Sequence, residues 1–481
     1  MDLALENKKL KKILKTQSKV IEKLEKRIET ESKITEKQSK IIETQSKIIE
    51  KLEKAIEDLK EKLNINSKNS SKSPSSDPHR AKKKKIKKKK RGPKHGHKGF
   101  WRKLFFKNKI TSSKNIFPKK CPKCGGEKLK SIKVEKRQVI ELPEIKPVIN
   151  EYNIYTGRCI NCNQKVKAER PKDCKYLFGP RLMGFISLII GEMTLPTRKM
   201  QKLLKYLNIP ISLGSIVNIQ KLAGKILKKP YENVLSHVLK QKNIHADETS
   251  WKTFYDRKWL IVTTTKDSVA FKIEKSRSQE IFNKIFKGYD GILISDRCPS
   301  YNMHKGNRQL CLAHIARDFA KISERIKIEG KIGKRLVEEL NAIFKKWNAF
   351  KENLLTRKEL QDILEITNIR FIKNLLLMGF LLKNTKTSRT CRNLLKKFNY
   401  LWTFIYKEEI EPTNNLAERD IRPAVIWRKL SFGTQSIEGE KYVERILSII
   451  GTMKKRNKNP FKYLYHCFQS HIREGPIPSP L

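Results

Sequence analysis

Apolar residues follow several different periods along this chain, and each period predicts a different element. Between residues 1 and 64 they recur every seventh position. Leu14, Ile21, Ile28, Ile42, Ile49, Ile56 and Leu63 fall at one core position, and Leu3, Leu10, Leu24, Leu52 and Leu59 at the other. Ile at the first and Leu at the second favour a parallel two-stranded coiled coil, so residues 1–65 are expected to form a dimeric rod. A lone solvated helix gains nothing from so regular a stripe. The segment Thr16–Leu24 recurs at Thr44–Leu52, 28 residues later, which is four whole heptads and keeps the seam in phase. Gln17, Glu31, Gln38 and Gln45 interrupt the second core position and should weaken the middle of the rod.

The pattern then shortens. Alternation around Ile132–Val139 and Tyr152–Tyr155 predicts strands. Leu182–Ile190 reads as a buried helix. Leu195–Leu207 and Ser212–Leu222 read as two more helices around the break Asn208-Ile209-Pro210, with Ser212 as an N-cap. That pair fits a helix-turn-helix that reads DNA, and equally two helices that only pack. From Lys242 onward Ile244–Asp247, Trp259–Thr265 and Val269–Ile273 are short strand-like runs. A helix follows over about Ser278–Phe286, then a fourth strand over Gly291–Ser295 ending at Asp296. Val337–Phe350, Leu354–Ile366 and Ile369–Leu382 are amphipathic and predict a helical insertion.

Charge changes the picture most. The 481 residues hold 107 Lys and Arg against 49 Asp and Glu, a formal net charge of +58. Such an excess predicts a polyanionic partner, and nucleic acid is the usual one. Asn66–Pro78 has the Ser/Asn/Lys composition of a flexible linker. Residues 79–103 then carry 14 Lys or Arg and no acid. Lys82, Lys83, Lys84, Lys85, Lys87, Lys88, Lys89, Lys90 and Arg91 form its centre and are expected to bind DNA phosphates in a salt-sensitive, non-specific way. No stretch reaches the roughly 18 consecutive apolar residues of a membrane span, and the N-terminus is charged from Asp2. A cytoplasmic, nucleoid-associated protein is expected.

Cys121-Pro-Lys-Cys124 and Cys159-Ile-Asn-Cys162 are two knuckles separated by 34 residues. Four thiolates on two such turns predict a closed, structural Zn²⁺ site in a zinc ribbon. Cys174, Cys298, Cys311, Cys391 and Cys467 lack such partners and read as small buried residues. Cys311 and His314 sit three apart, and a core helix accounts for them.

Three acids remain. Asp247 and Asp296 close two of the predicted strands, and Glu418 lies in a helix entered at Pro412-Thr413. Singly, each has a plain role: a turn cap, a turn start, a partner for Arg422. Together, on neighbouring strand ends and a helix beside them, they would form a cluster that needs cations, and Mg²⁺ or Mn²⁺ prefers such oxygen ligands. Arg422, Arg428 and Lys429 are candidates to neutralise phosphates near such metals, since Arg suits bidentate phosphate contacts.

The chain resembles the transposases of the insertion-sequence sixty-six family. The resemblance is carried by Gly92-Pro93-Lys94-His95-Gly96-His97-Lys98-Gly99, Asp247-Glu248-Thr249 and Asp296-Arg297-Cys298-Pro299-Ser300-Tyr301. It continues through Cys311–Phe319, Asn414–Arg422 and Arg428–Thr434. It implies a DDE transposase with an RNase H-like core, with Asp247, Asp296 and Glu418 as catalytic acids. Mg²⁺-dependent cleavage and strand transfer at transposon ends would follow, as would small accessory proteins as partners. A lysine run replaces the Gly-rich lead before Gly92, and Arg297 stands where Gly is commoner. A non-catalytic zinc-containing DNA-binding dimer and an inactivated copy are the alternative readings.

The expected protein is thus multidomain α/β: coiled coil 1–65, basic linker 66–115, zinc ribbon 116–170 and a helical region with a candidate helix-turn-helix, 171–240. The RNase H-like mixed-sheet core would occupy 241–310 and 410–460, split by the helical insertion 311–409 and followed by a tail, 461–481.

Overall fold

In a computed structural model, residues 3–66, 69–70, 102–127 and 135–481 are described. The basic run Lys82–Arg91 and the Gly92–Gly99 motif lie outside them. The chain divides into two units. One comprises residues 1–78, 235–250 and 258–422; the other comprises 79–234, 251–257 and 423–481.

The N-terminal segment is one helix, α1 (Leu3–Leu63). Glu22–Lys26, Glu29–Lys33, Glu36–Lys40 and Glu43–Lys47 pair at i, i+4, repeating every seven residues along its outside. Glu before Lys is the favourable orientation, though such exposed pairs contribute only a few tenths of a kcal/mol each. The apolar stripe lies bare: Ile28, Ile42 and Leu14 are all more than 60% exposed. Near its C-terminus α1 docks within its own unit, where Glu61 pairs with Arg325 and Lys386, and Asp58 with Lys386. Burial raises the Glu61 carboxyl, but Lys386, Lys321 and Arg325 outweigh it and hold the group below its usual range.

In the second unit, β1 (Thr156–Arg158) and β2 (Lys165–Lys167) form an antiparallel hairpin with the Cys159–Cys162 knuckle at its tip. Three helices follow: α2 (Pro180–Met193), α3 (Thr197–Tyr206) and α4 (Leu213–Ile226). Both helices expected around Asn208 are present, and Ser212 caps α4 by accepting from the Ser215 amide. Helix α5 (Lys228–Leu239) leads to the sheet.

The sheet has five strands in the order β5-β4-β3-β6-β7. Strands β3 (Asn243–Thr253), β4 (Asp256–Thr264) and β5 (Val269–Glu274) come first, then α6 (Gln279–Ile285), β6 (Ile292–Ser295) and β7 (Arg308–Leu310). β4 and β5 pair antiparallel, whereas β6 runs parallel to both β3 and β7. The expected neighbouring of β3 and β6 is therefore present. Strand β7 has no apolar run to announce it: Arg308 and Gln309 are buried in it. Gln309 is satisfied by donating to the Leu310 and Leu401 carbonyls and accepting from the Phe404 amide.

Helices α7 (Leu312–Ser323), α8 (Lys327–Lys351), α9 (Arg357–Ile363), α10 (Arg370–Leu381), α11 (Lys386–Leu395) and the short α12 (Thr403–Tyr406) follow. A π-helical stretch, Leu364–Ile369, joins α9 to α10. One apolar core runs from Ile294 and Leu310 under α7 to Leu336, Leu340, Trp347, Leu376 and Trp402. The two tryptophans are core residues.

Helix α13 (Asn415–Ser431) carries Glu418, and α14 (Ile437–Lys455) and α15 (Pro460–Ile472) complete the second unit. There α14 packs on α4 and α2, and α15 on α2. Gly433 has φ +102°, and a Cβ on it would meet the Lys252 carbonyl, so the Arg428–Thr434 motif needs glycine there. The close approach lets Thr434 bond Lys252 and Phe254 through the backbone. Cys298, Cys311, Cys391 and Cys467 are buried as expected; Cys174 is only partly so. Among the described residues no helix is long and apolar enough to cross a membrane.

Candidate functional site

The first unit gathers acids at the end of β6. The β3–β6 register pairs His245 with Ile294, so two residues further along the two strands Asp247 stands level with Asp296. Sequence patterning ended β3 at Asp247. The strand instead continues to Thr253, because Trp251 and Thr253 turn inward while Lys252 faces out.

Glu418 arrives from α13, and Asn414 fixes that helix. Fully buried, Asn414 donates to the Ala246 carbonyl and pairs with His245 Nδ1, while its own amide donates to Cys311 Sγ. One turn on, Asp420 accepts from Thr264 at 2.6 Å. The start of α7 is tied in as well: the Cys311 amide bonds Ser295, and the Leu312 amide bonds Pro412. Two strands and two helix N-termini thus meet beside Asp296, with Glu418 and His314 each in a first helical turn. A negative side chain is favoured at such a terminus and an imidazolium is not.

The electrostatics agree with this assembly. Burial pushes the Asp247 carboxyl up to about 8, helped in turn by the charges of Glu248, Asp296 and Glu418. Asp247 accepts from the Glu248 amide, and Asp296 accepts from the Cys298 amide, so Asp296 also opens its turn. Burial pulls His314 down, Arg317 next, against the pull of Asp296 and Glu418. The oxygens of the three acids do not all come within 4.8 Å of one another. Among the described residues that spacing is met by Cys311, His314 and Glu418.

Strand alternation points Glu248 to the opposite side from Asp247, yet it stays close to the acids: burial and then Asp296 raise its carboxyl. It accepts from Tyr301 at 2.8 Å and lies 3.4 Å from Arg277, which stacks on Trp259. Glu248→Gln is therefore not an inert control for Asp247→Asn.

A carboxyl raised in the fold gives stability that is present at low pH and lost as pH rises. Between about pH 4 and about pH 8 folded Asp247 keeps a proton that the unfolded chain releases, so metal-free stability should fall across that window. Asp247→Asn should remove its share of that slope, leaving the part due to Glu248, and raise the melting temperature at pH 8.5 by about 2–6 °C. Divalent ions should stabilise only the unsubstituted chain. A variant with the original pH slope in thermal melts would contradict this.

In the second unit the two knuckles are the same turn. The Gly125 and Asn163 amides bond Cys121 and Cys159, and the Cys121 and Cys159 amides bond Gly126 and Gln164. Gly125 and Asn163 take positive φ at matching places. Backbone hydrogen bonds at Lys123 and Cys124 hold the Cys121 thiol below its usual value, and those at Cys162 and Asn161 do the same for Cys159. The donor set and the turns suit thiolate ligation. The four sulfurs are not drawn into one cluster.

Of the other expected DNA contacts, Arg422 and Lys429 are exposed and Arg428 is partly buried, all on α13.

A family model described as "Transposase IS66 family" matches residues 175–442. The "zinc-finger binding domain of transposase IS66" matches 118–163, and a family of unknown function, DUF6444, matches 2–103. "Uncharacterized protein y4qI" of Sinorhizobium fredii (strain NBRC 101917 / NGR234) is 22% identical over 316 residues, 59% of this chain. The match spans 58% of that relative's length.

Proposed function

Since the chain belongs to the IS66 family of transposases, we propose that it is a DDE transposase that cleaves DNA at insertion-sequence ends and joins the freed 3′-hydroxyl to target DNA. The level placement of Asp247 and Asp296 on adjoining parallel strands, with Glu418 brought beside them by Asn414, carries this reading. The strand order β5-β4-β3-β6-β7, three antiparallel strands followed by two parallel ones, supports an RNase H-like core.

Asp247, Asp296 and Glu418 would hold Mg²⁺ or Mn²⁺; an Asp247 carboxyl raised by burial and by its acidic neighbours is what a site awaiting positive charge should show. When bound, the ions supply a Lewis acid that activates water or a 3′-hydroxyl and steadies the leaving oxygen. Asn414 and Asp420 keep the α13 carboxylate in register with the strands. Tyr301 and Arg277 hold Glu248 aside from the reacting phosphate. Arg422, Arg428 and Lys429 on α13 neutralise DNA phosphates, and the Lys82–Arg91 run adds sequence-independent affinity. Zinc on Cys121, Cys124, Cys159 and Cys162 would fix the ribbon. Labelled end DNA with Mg²⁺ should yield nicked and joined products; their absence with the correct end sequence rejects the enzyme reading in favour of the DNA-binding one.

The bare stripe of α1 supports a homodimer. The full chain should sediment as a dimer, and Ile28→Glu with Ile42→Glu should make it a monomer. A wild-type monomer at micromolar concentration contradicts the coiled coil.

A further inference from the structure

One atom beside the acids, His314 Nδ1, is left without a role by the three-carboxylate reading. His314 Nδ1 and Glu418 Oε1 are both buried, neither has a hydrogen-bond partner, and they face each other at 3.7 Å. That gap is too long for a hydrogen bond. Two buried polar atoms left unsatisfied against each other are costly. They are arranged as ligands of one ion are: at bond lengths of about 2.1 Å, neighbouring ligand atoms sit about 3 Å apart, so a small side-chain adjustment closes the difference.

We infer that His314 is a fourth ligand of the catalytic site, giving the metal position at Glu418 one imidazole nitrogen beside its carboxylates. The inference rests on the triad reading above. Its chemical consequence is selectivity. An imidazole nitrogen is a softer donor than a carboxylate oxygen and favours transition-metal ions over Mg²⁺. The position at Glu418 should then hold Mn²⁺ more tightly than Mg²⁺.

The surroundings fit a ligand. His314 sits in the first turn of α7, whose start is pinned by the Cys311 amide to Ser295, the residue before Asp296. The backbone that carries the ring is therefore tied to the end of β6. Cys311 Sγ completes the group within 4.8 Å, but it already accepts from the Asn414 amide at 3.1 Å. It acts as the buried anchor of α13, and the ligand is the imidazole. The face of α7 one turn on is also occupied: Asp318 pairs with Arg297, leaving His314 as the α7 side chain turned to Glu418.

The test reads the metal rather than turnover. The full-length zinc-loaded protein, titrated with Mn²⁺, should show nitrogen modulation in electron spin-echo spectra, and the pattern should change when histidine is labelled with ¹⁵N. His314→Gln should abolish the modulation, keep the circular dichroism of the parent, and lower the Mn²⁺-over-Mg²⁺ affinity ratio at least tenfold. Free imidazole should restore the signal in His314→Gly. The inference is overturned if Mn²⁺ binds, is lost in Asp296→Asn, and yet carries no nitrogen coupling, or if the coupling survives His314→Gln. If Mn²⁺ binding is indifferent to both Asp247→Asn and Asp296→Asn, the triad reading falls too.

Discussion

Asp296→Asn should lower strand cleavage and strand transfer by about 10³-fold or more while leaving DNA binding within about twofold. Replacing one carboxylate oxygen by an amide removes a charge from the metal site, and several kcal/mol of transition-state stabilisation go with it. The substitution keeps the shape of the turn, because an Asn side chain can still accept from the Cys298 amide as Asp296 does. Loss of activity would then report chemistry and not folding. Glu418→Gln should behave alike. Glu248→Gln should sit between these variants and wild type, since its side chain acts on Asp247 through its charge and the backbone hydrogen bond to Asp247 is kept. Electrophoresis of labelled products gives the rates, and filter binding gives the affinity. An Asp296→Asn protein that cleaves at the wild-type rate removes Asp296 from the site.

The second large effect is expected in the ribbon. Cys159→Ser should cut tightly held zinc from about one ion per chain to near zero after dialysis, because structural Zn²⁺ sites are worth about 10–16 kcal/mol and depend on all four ligands. Cys121→Ser should match it, since the two knuckles are the same turn with the same backbone hydrogen bonds. Protease cleavage between residues 118 and 163 should rise with zinc loss, the span that the zinc-finger family model matches. Unchanged zinc content in either variant would refute the four-cysteine assignment.

How much of this was legible beforehand depended on whether burial coincided with apolarity. The Ile244–Asp247 and Gly291–Ser295 runs announced two strands because most of their buried residues, Ile244, Ala246, Leu293 and Ile294, are apolar, and those strands do adjoin. Strand β7 escaped because Arg308 and Gln309 are buried polar residues whose partners, such as Leu401, Phe404 and Ser295, lie elsewhere in the chain. The end of β3 was misplaced because polar Thr249 and Ser250 interrupt the apolar run before Trp251 resumes it. Leu354–Ile366 and Ile369–Leu382 read as two helices. The chain continues through a π-helical stretch, with Asn368 buried against Glu339 and Lys346. At the site, the acids stood out by motif. The residues that hold them together, Asn414, Thr264 and Asp420, were invisible as such, since clamps between distant segments leave no periodic signal. The sequence around His314 fits a packing role; its unpartnered nitrogen facing Glu418 shows only in the fold.

Three acids spread over 171 positions, from Asp247 to Glu418, should converge on metal. Crystals of the protein soaked in Mn²⁺ and measured at the manganese absorption edge test that directly. The expected result is an anomalous peak within coordination distance of Asp247, Asp296 and Glu418. A fully occupied manganese elsewhere, with these carboxylates bare, would contradict it.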